Sequence, residues 1–216
     1  MRKRPLESRD RQIRTALRAK LLRQHGADED AFVVEELPVA RGSARVDMAV
    51  INGRLEGFEI KSSLDTLDRL PRQVDLYGAA LNRMTLVAAP KHLAEAMEMI
   101  PVWWTVVAAE VGLKGGITLR RVRAGRANPA LCPRACASLL ERDELVSLLS
   151  AHGLDRGYRT AAWADLADRV VAHLPLRAIT DGVRRQLKIR TLLEARYERT
   201  AFGSTAAGGG LTAELV

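Results

Sequence analysis

Residues 45–61, RVDMAVINGRLEGFEIK, decide the reading of this chain, because they place an Asp, a Glu and a Lys on two short strands joined at Asn52-Gly53. Val46, Met48 and Val50 alternate with Arg45, Asp47 and Ala49, and Phe58 and Ile60 alternate with Gly57, Glu59 and Lys61. That is the period-two signature of two half-buried β-strands. A two-residue loop would pair Ile51 with Arg54 and put Glu59 on the side of Val46 and Met48, mixing charge into the apolar face. A three-residue loop with Gly53 left-handed, followed by a G1 bulge, pairs Val50 with Arg54 instead. The apolar residues then share one face, with Asp47 set diagonal to Glu59 on the other. The spacing therefore predicts an odd-length loop, with Asp47, Glu59 and Lys61 projecting from the same side of the sheet.

Two carboxylates converging in this way repel, and each is expected to take up a proton unless a cation sits between them. Hard oxygen ligands suit Mg²⁺ or Mn²⁺. An ion held by two carboxylates keeps most of its waters, can acidify one of them and can bind a phosphate oxygen opposite. Lys61, two residues past Glu59 on the same face, could orient an attacking water or neutralise charge growing on a phosphate. The reaction implied is phosphodiester hydrolysis. The competing reading is a solvated sheet face carrying ordinary exposed ion pairs.

The surrounding sequence supplies a resemblance. Asp47 followed by Glu59-Ile60-Lys61 on the next strand is similar to the motif of the PD-(D/E)XK nuclease superfamily, with Val46 standing where Pro occurs in the named pattern. Downstream, Gln73 and Tyr77 lie four apart on a helix that Pro71 would open, which resembles the Q-x-x-x-Y element of the RecB-like branch. The run from Glu59 to Tyr77 also resembles a bacterial nuclease-like family of mostly unassigned role. The resemblance implies that Asp47, Glu59 and the Ile60 backbone carbonyl hold Mg²⁺ or Mn²⁺, that Lys61 is catalytic, and that Gln73 and Tyr77 line the nucleic-acid side. A further acidic ligand would come from Glu7, Glu35 or Glu36. Strand alternation admits only one of the last two, Glu35 being preferred if Phe32 and Val34 are core. Asp65 and Asp68 read as residues that cap the turn before the helix.

The order of elements agrees with that family. A helix at Ser8–His25 (Ile13, Leu17, Leu21 and Leu22 on one stripe), a strand at Ala31–Val39, the hairpin, the Gln73 helix and a strand at Met84–Ala89 follow in turn. The expected fold is α/β, a restriction-endonuclease-like mixed sheet core (α-β-β-β-α-β) with an all-α C-terminal appendage. Strands are also expected at Val102–Val107 and Gly116–Arg123, joined as a hairpin at the sheet edge, with Trp103 and Trp104 in the core. The chain divides into a nuclease-like core (1–124), a linker (125–137), a helical appendage (138–201) and a disordered tail (202–216). Helices are read near Ser138–His152, Ala161–His173 and Leu176–Thr200. The last could lie along DNA, dock on the core, or pair with a second copy as a homodimer.

Lys plus Arg total 34 against 26 Asp plus Glu, for a net charge of +8. The balance is uneven: +7 over residues 1–25, −5 over 26–100 and +6 over 101–216. An acidic middle between basic flanks suits a site that holds a metal beside a nucleic-acid backbone. DNA is the substrate the resemblance favours, with RNA cleavage, or a catalytically silent nucleic-acid-binding or scaffold module, as alternatives. No run of eighteen apolar residues exists, so neither export nor membrane insertion is expected and the chain reads as cytoplasmic. Cys132 and Cys136 are half a metal site at most and read as reduced thiols. The four histidines show no ligand spacing.

Overall fold

A computed structural model describes residues 8–205; Glu7 and the end of the expected tail, 206–216, lie outside the described residues. Helix α1 (Asp10–His25) buries Ile13, Leu17 and Leu21, spaced by four so that one stripe faces inward. Leu22, expected on that stripe, is 42% exposed, because only one residue per turn of this helix reaches the sheet. Strands β1 (Phe32–Val39), β2 (Ala44–Ile51) and β3 (Leu55–Lys61) follow, then α2 (Leu70–Ala80) with Pro71 in its first turn, then β4 (Arg83–Ala88). A 3-10 turn at Pro90–His92 and helix α3 (Leu93–Met99), neither part of the sequence-based expectation, lead to β5 (Thr105–Val111) and β6 (Ile117–Arg123). Four helices complete the described chain: α4 (Pro133–Ala137), α5 (Arg142–Ser150), α6 (Trp163–His173) and α7 (Leu176–Thr205).

The strands form one six-stranded mixed sheet in the order β1-β2-β3-β4-β5-β6. The β3–β4 and β4–β5 pairs are parallel, and the other pairs antiparallel. Helix α1 covers one face over Met48, Val50, Phe58, Ile60 and Val87. The other face packs under α2 and the C-terminal helices, whose Leu145, Leu166, Ile179 and Leu187 belong to the same core as Ile51, Leu86 and Trp104. The appendage therefore shares one core with the sheet. Residues 125–132 are tied down as well: the Asn128 side-chain amide donates to the Gly78 and Leu81 carbonyls at 2.6 and 2.8 Å, satisfying the end of α2. α7 is pinned by Lys188 to Asp30 at 2.6 Å and by Arg190 Nε to Glu144 at 2.9 Å.

Four local expectations change. The β2–β3 loop is odd, Asn52-Gly53-Arg54, but it pairs Ile51 with Leu55 and Val50 with Glu56, not Val50 with Arg54. Gly53 is not left-handed; the Asn52 side chain instead accepts the Arg54 N–H at 3.1 Å, closing the turn without a bulge. The central strands are buried on both faces and not half-buried, as helices cover the sheet from either side. The third change concerns the tryptophans. Trp103 and Trp104 are core residues that stack edge to face with centroids 5.9 Å apart, yet they precede β5 in a turn closed by the Trp104 N–H on Pro101. The expected tail at Phe202–Thr205 continues α7.

Gly125 marks the return from β6. A Cβ there would stand 2.5 Å from both the Thr105 nitrogen and the Trp103 oxygen, which are backbone atoms that cannot yield separately. Gly125→Ala should lower stability by about 1–3 kcal/mol, the usual cost of overpacking. Urea denaturation would show it, and a loss under about 0.5 kcal/mol, typical of surface changes, would disprove it.

Candidate functional site

The site forms where two strand ladders break at the same residue. Pairing of β2 with β3 stops at Met48–Phe58, and Asp47 comes next, directly opposite Glu59. In place of a ladder bond the Ile60 N–H donates to Asp47 Oδ2 at 2.6 Å. The β1–β2 ladder likewise skips the position opposite Asp47, because Glu36 there adopts φ +54°. A left-handed non-glycine residue inside a strand costs about 1–3 kcal/mol and turns its side chain out of the normal alternation. Glu35 and Glu36 consequently both leave the core; Glu36 lines the cleft over Asp47, whereas Glu35 pairs with Arg18 at 3.1 Å. The preference for Glu35 as the inward residue is thus reversed by the kink.

Glu59 and Lys61 are each 3% exposed, which rules out the solvated-face reading. Lys61 Nζ donates to Glu59 Oε1 at 2.7 Å and to Gln73 Oε1 at 2.9 Å, while Gln73 Nε2 donates to the same Glu59 oxygen at 2.6 Å. The second Glu59 oxygen, Oε2, is buried with no hydrogen-bond partner. Burial and then the neighbouring Asp47 charge push the Glu59 carboxyl up to about 7, against the opposing pull of Lys61 and Gln73. Asp47 is raised as well, by burial, although the Ile60 N–H and Arg14 counter it.

Tyr77 is fully buried behind Gln73, receives its amide at 3.3 Å, and donates its hydroxyl to the Arg45 carbonyl. Burial raises its hydroxyl far above the ordinary tyrosine range, so it stays protonated. It therefore orients Gln73 and does not line the cleft, contrary to expectation: a residue four along from Gln73 on this helix lies one turn deeper. Asp65 closes the turn after β3, accepting from the Ser62 N–H at 2.7 Å and hydroxyl at 2.6 Å, and His92 secures the Ser62 carbonyl at 3.1 Å. Asp68 accepts from Thr66.

Around these groups opens a cleft of about 490 Å³. Its lining carries Asp10 of α1 and Glu36 of β1, and also Arg45 of β2 with Arg69 and Arg72 at the start of α2, these three arginines all exposed and none paired with a described carboxylate. Arg14 of α1 reaches in to Asp47, donating from Nη2 to Oδ1 at 2.9 Å and from Nη1 to the backbone carbonyl at 2.8 Å. Sequence reading missed Arg14, for which the basic stretch of α1 was the available signal, and the three cleft arginines. Among the described residues no three His, Cys, Asp or Glu side chains converge as a ready metal cluster, and Glu7 lies outside them. No described helix is long and apolar enough to cross a membrane.

Residues 4–201 match the family model described as Bacteriophage P4 protein cII. The chain is 28% identical over 182 residues to protein cII of Enterobacteria phage P4, an alignment spanning 84% of this chain and 67% of that protein. It also matches a structure of a protein of unknown function from Silicibacter pomeroyi at 21% identity and TM-score 0.36, covering 62% of this chain and 80% of the other.

Proposed function

This chain belongs to the bacteriophage P4 protein cII family, and we propose that it is a divalent-metal-dependent nuclease of the PD-(D/E)XK type on a restriction-endonuclease-like core, acting on nucleic acid and on DNA by preference. The observation that carries the reading is the pair of half-buried Asp47 and buried Glu59, facing each other across a ladder break with Glu59 Oε2 unpartnered and an ammonium beside them. Like charges in a buried site are costly for folding, and their presence in a cleft points to chemistry. That donor set fits a hard cation: two carboxylates, with the Ile60 carbonyl at the same place in the chain, would hold Mg²⁺ or Mn²⁺ and leave its remaining positions to water. Such an ion would supply Lewis acidity to a phosphate oxygen and a water of lowered pKa.

The chain's own residues then have separate tasks. Lys61 carries its charge to the floor of the cleft, where it offsets negative charge growing on the phosphate during hydrolysis. Gln73 fixes Lys61 and Glu59 together from one amide, and Tyr77 holds Gln73 in that orientation. Arg45, Arg69 and Arg72 hold the phosphodiester backbone at the cleft, while Asp10 and Glu36 repel it.

The test is incubation of the purified protein with circular and linear, single- and double-stranded DNA in Mg²⁺, Mn²⁺ or EDTA. Metal-dependent cleavage supports the reading; binding without cleavage in any metal favours the scaffold alternative, and cleavage of RNA alone would transfer the activity to that substrate. The rim makes a separate prediction. If three arginines each meet a phosphate, changing all three to Gln should reduce the slope of log K against log salt by about 2 on single strands and slightly more on duplex. Oligonucleotide anisotropy titrations at several salt concentrations in EDTA would measure this, and an unchanged slope would remove these three arginines from the interface.

A further inference from the structure

We propose that Arg14 is the resident counter-cation of the Asp47 site, and that a divalent ion binds by displacing its guanidinium from Asp47. This rests on the metal-dependent reading above. Arg14 touches four carboxylates from one side chain: Asp47 at 2.9 Å, Glu36 at 2.9 Å, Asp10 at 3.3 Å and Glu35 at 4.0 Å. Fastening α1 to the sheet needs no more than one such contact, and the buried Ile13, Leu17 and Leu21 already do that. The guanidinium occupies the flank of Asp47 that the Ile60 N–H leaves open, with Asp47 Oδ1 taken by Arg14 and Oδ2 by Ile60. The carboxylate is thereby balanced in the protein without a metal.

The remaining partners give Arg14 somewhere to go. When Asp47 turns to a metal, Asp10 and Glu36 keep the guanidinium paired, so exchange strands no charge in a half-buried setting. Glu36 can serve only because its left-handed backbone swings it off the strand's normal face, which gives the strain at that residue a purpose. Arg14 is consequently a positioning and competing group and not a catalytic one. It raises the metal concentration that the site requires, and it keeps Asp47 from binding cations weakly and without selection.

The experiment is Mn²⁺ binding to the full chain in the absence of nucleic acid, followed by electron paramagnetic resonance of the free ion, for wild type, Arg14→Gln, Arg14→Lys and Asp47→Asn. Removing a unit charge at this distance should tighten Mn²⁺ binding about tenfold or more in Arg14→Gln. Arg14→Lys, which retains the charge, should stay near wild type. Affinity in Arg14→Gln that is unchanged or weaker overturns the proposal, showing that Arg14 only braces Asp47. Binding by wild type that survives Asp47→Asn, or no binding by any variant, overturns the metal-site reading itself. Should Arg14→Gln fail to fold, the Nε resonance of Arg14 in ¹⁵N-arginine-labelled wild type decides: a saturable shift with Mg²⁺ supports exchange, and none refutes it.

Discussion

Lys61→Met and Asp47→Asn should each reduce metal-dependent cleavage by about 10²- to 10³-fold, the range typical of removing one preorganised charge from a reaction centre. Lys61 is the more decisive of the two. Its stem lies in the buried floor, and Met fills a similar volume, so the change deletes the ammonium while keeping the packing. The deleted group is the one that joins Glu59 to Gln73, at 2.7 and 2.9 Å. Asp47→Asn keeps the shape as well, and still offers an oxygen to the Ile60 N–H, but removes the charge that would hold the cation. Thermal melts should show both proteins folded. If either variant cleaves at the wild-type rate, the residues at the ladder break are structural and the activity resides elsewhere.

In the metal-free protein, Glu59→Gln should abolish a loss of stability that wild type suffers as the pH rises. The Glu59 carboxyl moves from an ordinary 4.5 to about 7 in the folded chain. A folded-state pKa raised in this way means that the native state binds the proton more tightly than the unfolded chain does. The stabilisation is fully present below about pH 4.5 and disappears as the pH climbs through about 7. The shift corresponds to at most about 3 kcal/mol. Asp47, shifted in the same direction, adds to the trend. A Gln at 59 still accepts from Lys61 and Gln73 and has no charge to bury, so its stability between pH 5 and 8 should be flatter than that of wild type. Urea titrations across that range are the measurement; parallel curves for the two proteins would mean that Glu59 is not a buried acid. Mn²⁺ should restore wild-type stability at the upper end, where the deprotonated pair is available to it.

Both predictions concern a device that weakens the fold where its chemistry would occur. The protein sets half-buried Asp47 opposite buried Glu59, leaves one Glu59 oxygen unbonded and bends β1 out of its ladder at Glu36, which pairs with Arg14. Elsewhere in the sheet the β5–β6 ladder shifts register between Val106 and Val107, away from these carboxylates.

Local spacing was enough to place Glu59 and Lys61 on one strand, Asp47 on its neighbour and Gln73 one turn from Tyr77, because residues two apart on a strand and four apart on a helix share a face whatever surrounds them. Parity also survived: the loop is odd, as the apolar pattern required, although its hydrogen bonds come from Asn52 and not from a left-handed Gly53. What spacing could not supply is everything that joins distant segments. Arg14 meets Asp47 across 33 residues, and the contact depends on how α1 settles on the sheet. The charged alternation on β3 reads locally as a wet surface, and the packing of α2, whose Gln73 meets both groups, makes Glu59 and Lys61 buried. Sequence periodicity thus determined which side chains share a face; the docking of α2, through contacts between segments distant in sequence, decided whether that face meets water.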